Sequence, residues 1–175
     1  MRVSRMVLLG LCGLLGPVAL AQAETKVELK GVHLCCPACV RAVGTILKNV
    51  EGVKATCDQN AKTVTITATD DAAAQKALDA LSAGGFHGET ASSSIAMKDD
   101  SGAKAGKVKS LTVSGVHNCC GACTKALKDT VKKVDGVTGD TVKPRQNVFT
   151  VTGDFDAAEL VKALHSAGFH VKVMN

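Results

Sequence analysis

Two Cys-x-x-Cys motifs are the residues of this 175-residue chain whose types and spacing could do chemistry. The first motif pairs Cys36 with Cys39, and the second pairs Cys120 with Cys123. This spacing lets two sulfurs converge on one ion, and a helix that begins at the motif favours the thiolate form that binds metals. Thiolates are soft ligands that select Cu(I), Zn(II) and similar ions. The motifs therefore predict soft-metal binding.

Further candidate ligands precede each motif. They are His33 and Cys35 before the first motif, and His117 and Cys119 before the second. Each loop thus reads His-x-Cys-Cys-x-x-Cys. A third thiolate or an imidazole would favour three- or four-coordinate ions such as Zn(II) over linear two-coordinate Cu(I). Because adjacent cysteines do not easily point at one centre, a partly exposed thiol or one arm of a disulfide is the alternative for Cys35 and Cys119.

The same motifs leave two other functions open. A thiol–disulfide oxidoreductase uses Cys-x-x-Cys at a helix N-terminus, and a disulfide-stapled interaction module would use the cysteines as structural bridges. The chain has no Trp-Cys-x-x-Cys pattern, and seven cysteines remain once the export signal described next is removed. The odd count argues against a purely disulfide framework. We therefore expect a binding protein that is not an enzyme.

The first 23 residues have the pattern of a cleavable export signal. Arg2 and Arg5 precede an apolar stretch at residues 6–20, and the sequence Ala-Gln-Ala at residues 21–23 supplies a small-x-small cleavage site. The apolar stretch is shorter than the roughly 20 residues that a membrane-spanning helix needs. We expect cleavage after Ala23, a periplasmic or secreted protein, and no transmembrane segment in the mature chain.

The charge distribution argues against a nucleic-acid partner. Without the signal the chain has 19 basic and 16 acidic residues, with both signs interspersed. It has no Trp or Tyr and only four Phe, so few side chains could stack on bases. We expect no nucleic acid among its partners.

The chain repeats itself with a shift of 84 residues. The sequence KGVHLCCPACVRAV at residues 30–43 returns as SGVHNCCGACTKAL at 114–127, and SAGGFH at 82–87 returns as SAGFH at 166–170. Motifs kept in order at one shift indicate a duplicated domain. We predict a first domain at residues 24–90 and a second at 107–175. The segment 91–106 between them is rich in Ser, Ala, Gly and charge, which is typical of a flexible linker.

Apolar periodicity within each copy predicts the element order β-α-β-β-α-β. Apolar and polar residues alternate before the cysteines, and apolar residues recur at helical spacing after them. This order is the split ferredoxin-like arrangement, in which two helices cover one face of a four-stranded antiparallel sheet. We therefore predict an α+β protein of two tandem ferredoxin-like βαββαβ sandwiches.

The sequence resembles the heavy-metal-associated (HMA) domain family of copper chaperones, metal-transporting ATPases and mercury-binding periplasmic proteins. The resemblance rests on a glycine and a short loop before each Cys-x-x-Cys, on the helical stripe, and on a Gly-Val 13 residues after the second cysteine, at Gly52 and Gly136. The loop is two residues longer than in the family, and Val32 and Val116 stand where the family has Met. The resemblance implies one metal ion per domain, held by the two sulfurs of each Cys-x-x-Cys.

An exported soft-metal carrier is the function that these observations favour. Cu(I) is the first choice, and Zn(II), Cd(II) or Hg(II) are the alternatives. The expected partner is a metal-transporting membrane protein or another metal carrier, to which the ion passes by ligand exchange between exposed loops. The sequence leaves open whether the two domains share an ion. The remaining histidines are interpreted as solvated residues at strand ends, for His87 and His170, and as a surface residue, for His165.

Overall fold

The computed structural model describes residues 24–174. The export signal predicted at residues 1–23 lies outside the described residues, so that cleavage and localisation stay predictions. Within the described part of the chain, no helix combines the length and the apolar character needed to cross a membrane.

The first repeat is a four-stranded antiparallel sheet with two helices. The strand order in the sheet is β2-β3-β1-β4, which places the first and third strands at its centre. Its elements are β1 (Thr25–Lys30), α1 (Pro37–Lys48), β2 (Val53–Asp58), β3 (Thr63–Ala68), α2 (Asp71–Ala83) and β4 (Glu89–Thr90).

The second repeat has the same plan, with the strand order β6-β7-β5-β8. Its elements are β5 (Lys107–Ser114), α3 (Gly121–Val131), β6 (Val137–Asp140), β7 (Phe149–Asp156), α4 (Ala157–Ser166) and β8 (Lys172–Val173). Its sheet departs from a regular ladder at two register shifts, between Val108 and Ser110 and between Val137 and Gly139. The predicted fold of two tandem ferredoxin-like βαββαβ sandwiches is confirmed.

The cysteine-bearing helices begin at the same point of the motif in both repeats. Cys36 and Cys120 are the N-cap residues of α1 and α3, in extended backbone conformation. Cys39 then lies one turn inside α1, where it starts the buried stripe that continues through Val43 and Leu47. Because side chains spaced by three or four residues share one face of a helix, packing of this stripe on the sheet fixes where the cysteine points.

The two repeats are joined through their last turns. Phe86 and Phe169 form an antiparallel β-bridge. The backbone N–H of His87 donates to the carbonyl of Gly168 at 3.0 Å, and that of His170 donates to the carbonyl of Gly85 at 3.0 Å. These reciprocal contacts place the end of each repeat beside the cysteine loop of the other.

The segment 91–106, which lies between the predicted domains, contacts both repeats. Ile95 is 7% exposed and packs in the core of the first repeat. The Ser101 carbonyl accepts from the backbone N–H of Val173 in the second repeat at 2.8 Å. Its composition predicts flexibility, and the described segment contains neither helix nor strand. The contacts nevertheless connect it to both folded units. The domain boundaries themselves stay a prediction.

Candidate metal centre

Six cysteines from the two repeats form one cluster between them. Across the repeats, the Sγ atoms of Cys35 and Cys123 lie 3.3 Å apart, and those of Cys36 and Cys120 lie 3.8 Å apart. Within the first motif, the Sγ atoms of Cys36 and Cys39 lie 3.7 Å apart. We call this group the cysteine cluster. Its members are Cys35, Cys36, Cys39, Cys119, Cys120 and Cys123.

Burial divides the cysteine cluster into an inner and an outer part. Cys39 and Cys123 are 0% exposed, whereas the other four members are half-buried. Cys123 belongs to the second repeat but packs in the hydrophobic core of the first. The two repeats therefore build the cluster together, and neither provides its surroundings alone.

The sulfur separations fit metal ligation better than disulfide bonding. A disulfide holds its sulfurs about 2.05 Å apart, and all seven cysteines of residues 24–174 are free thiols. Two thiolates about 2.3 Å from one tetrahedral ion lie about 3.8 Å from each other. The contacts within the cysteine cluster span 3.3 to 3.8 Å. Little rearrangement of the sulfurs would be needed to receive a soft ion.

Proton affinities in the inner part of the cysteine cluster are those of crowded thiols. The hydrogen bond between Cys39 and Cys123 raises the pKa of Cys39 and lowers that of Cys123, so that one negative charge is shared by the pair. Burial raises the pKa of Cys35, and it raises the pKa of Cys119 to about 12. Six neighbouring thiolates would repel one another, so binding of a cation must release protons from the cluster.

Cys36 is the member of the cysteine cluster best prepared to be a thiolate. The backbone N–H of Cys39 lowers the pKa of Cys36 to about 7, against a smaller opposing effect of burial. This donor belongs to the first turn of α1, where unpaired N–H groups favour negative charge. Cys36 is also half-exposed, which makes it a point of access for an incoming ion.

The loop histidines each contact the opposite repeat. His33 stacks on Phe169, and Phe86 stacks on His117, both with ring centroids 4.2 Å apart. The Nε2 atoms of both histidines are buried without a hydrogen-bond partner among residues 24–174. A ring nitrogen of His33 lies within 4.8 Å of the sulfurs of Cys35 and Cys123. Among the described residues, His117 belongs to no such group, and burial lowers its pKa.

The structure thus brings all four predicted cysteine ligands together in one place. The resemblance implied one site in each domain, whereas the two motifs meet in a single cluster. It also includes the less certain candidates Cys35 and Cys119, and it places His33 beside them. The ligand roles of these residues stay predictions. The signal in the sequence was the repetition of the whole loop, which does not say that the two copies would face each other.

The interpretation of His170 as a solvated residue is wrong, because its side chain is 1% exposed. His165 is half-buried and not a simple surface residue. Burial lowers the pKa of His165, and burial together with the nearby His165 and His170 lowers the pKa of His87 to about 3. The contact between the two repeats brings these three rings together, and local sequence carries no sign of it.

Comparison with known proteins supports the family that the sequence suggested. Residues 110–170 match the heavy-metal-associated domain, and no curated protein matches the chain. Among solved structures, a copper binding domain from HMA7, a P-type ATPase, is 21% identical and covers 39% of this chain and 96% of its own, with a TM-score of 0.36. The N-terminal soluble domains of Bacillus subtilis CopA are 17% identical and cover 87% of this chain and 95% of their own, with a TM-score of 0.32.

Proposed function

We propose that this chain, which carries a heavy-metal-associated domain at residues 110–170, is an exported protein that binds Cu(I) in the cysteine cluster and passes it on. The observation that carries the proposal is the convergence of six sulfurs from two repeats at separations of 3.3 to 3.8 Å. Export rests on the signal pattern of residues 1–23.

The number of sulfurs favours Cu(I) over a single Zn(II). A closed structural Zn(II) site takes four ligands, so one zinc ion would leave members of the cysteine cluster unused. Cu(I) accepts fewer thiolates than Zn(II) and is selected by soft sulfur. Six neighbouring thiolates can therefore hold more than one Cu(I) ion, with sulfurs shared between them. Zn(II), Cd(II) and Hg(II) are the competing ions.

Release of the ion would proceed by thiolate exchange. Cys36 is half-exposed and lies at the start of its helix, so a partner thiolate would first reach the ion from that side. The incoming thiolate adds to the metal before an outgoing one leaves, and Cys39 remains buried throughout. No bond of a substrate other than the metal–sulfur bonds is made or broken. The partner is a metal-transporting membrane protein or another carrier with accessible thiolates.

Native mass spectrometry of the reduced full chain, titrated anaerobically with Cu(I), tests the proposal. We expect retention of more than two Cu(I) ions by the wild type, and strongly reduced retention by Cys39→Ser and Cys123→Ser. Cys57→Ser is the matched control, because Cys57 is a half-buried cysteine outside the cysteine cluster. It should bind as much copper as the wild type. Failure of the wild type to retain Cu(I) would refute the carrier function.

A second assay separates the carrier from a thiol–disulfide oxidoreductase. The reduced chain should not accelerate reduction of insulin disulfides, because a carrier only exchanges ligands on its ion. Turnover of insulin that disappears in Cys36→Ser would show that the motif acts on disulfides. That outcome would replace the copper-carrier proposal with the enzymatic one.

A further inference from the structure

Three histidines outside the cysteine cluster converge at the junction of the two repeats. They are His87 from the end of the first repeat, His165 from α4, and His170 from the strand end that follows it. One ring nitrogen from each lies within 4.8 Å of the other two. We propose that this histidine trio is a second metal site, which takes a divalent transition-metal ion of the Zn(II) class.

His170 is held in the orientation and tautomer of a metal ligand. Its Nε2 lies 2.7 Å from Oδ1 of Asp100. The carboxylate accepts the Nε2 proton, and this leaves the lone pair on Nδ1. Asp100 is fixed in turn by Lys172, whose Nζ lies 2.9 Å from its Oδ2. A carboxylate behind the distal nitrogen is the usual outer support of a histidine that ligates metal.

The free nitrogen of His170 faces another imidazole nitrogen. Its Nδ1 lies 3.2 Å from Nδ1 of His87. Two nitrogens bound about 2.05 Å from one tetrahedral ion lie about 3.3 Å apart, so the observed separation suits joint ligation. His87 owes this position to the inter-repeat hydrogen bond that its backbone N–H donates to Gly168. The pair therefore exists only when the two repeats are in contact.

His165 supplies a third nitrogen. Its ring lies parallel to that of His87, with centroids 3.9 Å apart, and its centroid is 5.1 Å from that of His170. Its Nε2 is buried and has no hydrogen-bond partner among residues 24–174. A buried polar atom without a partner costs free energy, and a bound cation near the trio would remove that cost.

A cavity of about 400 Å³ gives access to the trio. His87 and His165 line it, and so do the carboxylates of Glu89, Asp99 and Glu159. Negative charge along this opening favours approach of a cation. Imidazole ligands suit Zn(II), Cu(II) and Ni(II), whereas the all-sulfur cysteine cluster suits Cu(I). The two sites would therefore select different ions.

The test follows the imidazole ¹⁵N resonances of the reduced full chain while Zn(II) is added. Zinc bound by the cysteine cluster would perturb His33 and His117 at most. We expect the ring nitrogens of His87, His165 and His170 to shift together and to saturate at one further equivalent. Because the readout is assigned to these rings, its result does not depend on whether the cysteine cluster carries copper.

Two variants with a matched control complete the test. His165→Phe keeps an aromatic ring on His87 but removes a ligand, and should weaken Zn(II) binding at the trio more than about tenfold. Asp100→Asn should weaken it roughly 10- to 100-fold. Asp79→Asn is the control, because Asp79 also pairs with a lysine and is 48% exposed, compared with 47% for Asp100. Amide spectra verify that each variant is folded.

The proposal is overturned if saturating Zn(II) leaves the three ring signals unchanged in the folded wild type. The short distance between His87 and His170 would then be a hydrogen bond between two imidazoles and no more. It is also overturned if the control Asp79→Asn weakens binding as much as Asp100→Asn, since the effect would then be general electrostatics.

Discussion

The backbones of Phe86 and Phe169 pair with each other, although these residues occupy equivalent positions in the two repeats. Both side chains are fully buried, and each stacks on the loop histidine of the opposite repeat. The pairing makes the chain resemble a dimer of two domains within one polypeptide. It brings the two cysteine loops together and, beside them, the histidine trio.

Replacing Gly168 tests the contact between the repeats. Its φ is +86°, and a Cβ there would lie 2.3 Å from the backbone nitrogen of His33. Gly31→Ala is the matched control, because its φ is +75° and nothing lies within 4 Å of the added carbon. Each variant should lose about 1 kcal/mol or more from the strained backbone. Gly168→Ala should lose clearly more, as measured by urea unfolding, and should also bind less Cu(I). Equal losses in both variants would mean that the repeats do not pack this way in solution.

Alkylation of the thiols should distinguish the members of the cysteine cluster. Without metal, iodoacetamide should modify the half-exposed Cys36 first and the buried Cys39 and Cys123 last. Saturation with Cu(I) should protect all six members and leave Cys57 reactive. Peptide mass spectrometry gives the extent of modification at each site. Protection of only Cys36, Cys39, Cys120 and Cys123 would exclude the other two as ligands.

Cys35→Ser and Cys119→Ser should each reduce the number of Cu(I) ions bound. Their sulfurs lie 3.3 and 3.7 Å from Cys123 and Cys39 of the opposite repeat, so their loss removes bridges between the repeats. Native mass spectrometry measures the stoichiometry, with Cys57→Ser as control. If both variants retain the copper load of the wild type, each Cys-x-x-Cys binds its ion independently, as the family resemblance first implied.

The two loop histidines should differ in their effect on copper. His33→Phe and His117→Phe both keep an aromatic ring in the stacked position, so neither should greatly change the free energy of unfolding. We expect His33→Phe to weaken Cu(I) binding more, because a nitrogen of His33 lies close to Cys35 and Cys123. Competition with a Cu(I) chelator measures the affinities. Equal affinities of the two variants would assign His33 to packing alone.

The sequence by itself determined the repeated fold and the identity of the reactive residues. Alternation of apolar residues in strands and their helical spacing after each motif depend on local backbone geometry, and local geometry can be read from neighbouring positions. The pairing of Cys36 with Cys39 is likewise contained within four residues. The heavy-metal-associated family followed from these short-range patterns.

Only the tertiary structure decided that the two motifs form one cluster. Nothing in the periodicity distinguishes Gly85 and Gly168, where backbones of different repeats meet, from glycines in ordinary turns. The burial of His170 and its contact with Asp100 also depend on residues 70 positions apart. Such contacts arise from the packing of two completed surfaces. Packing of this kind is a property of the assembled shape, and no short stretch of sequence encodes it.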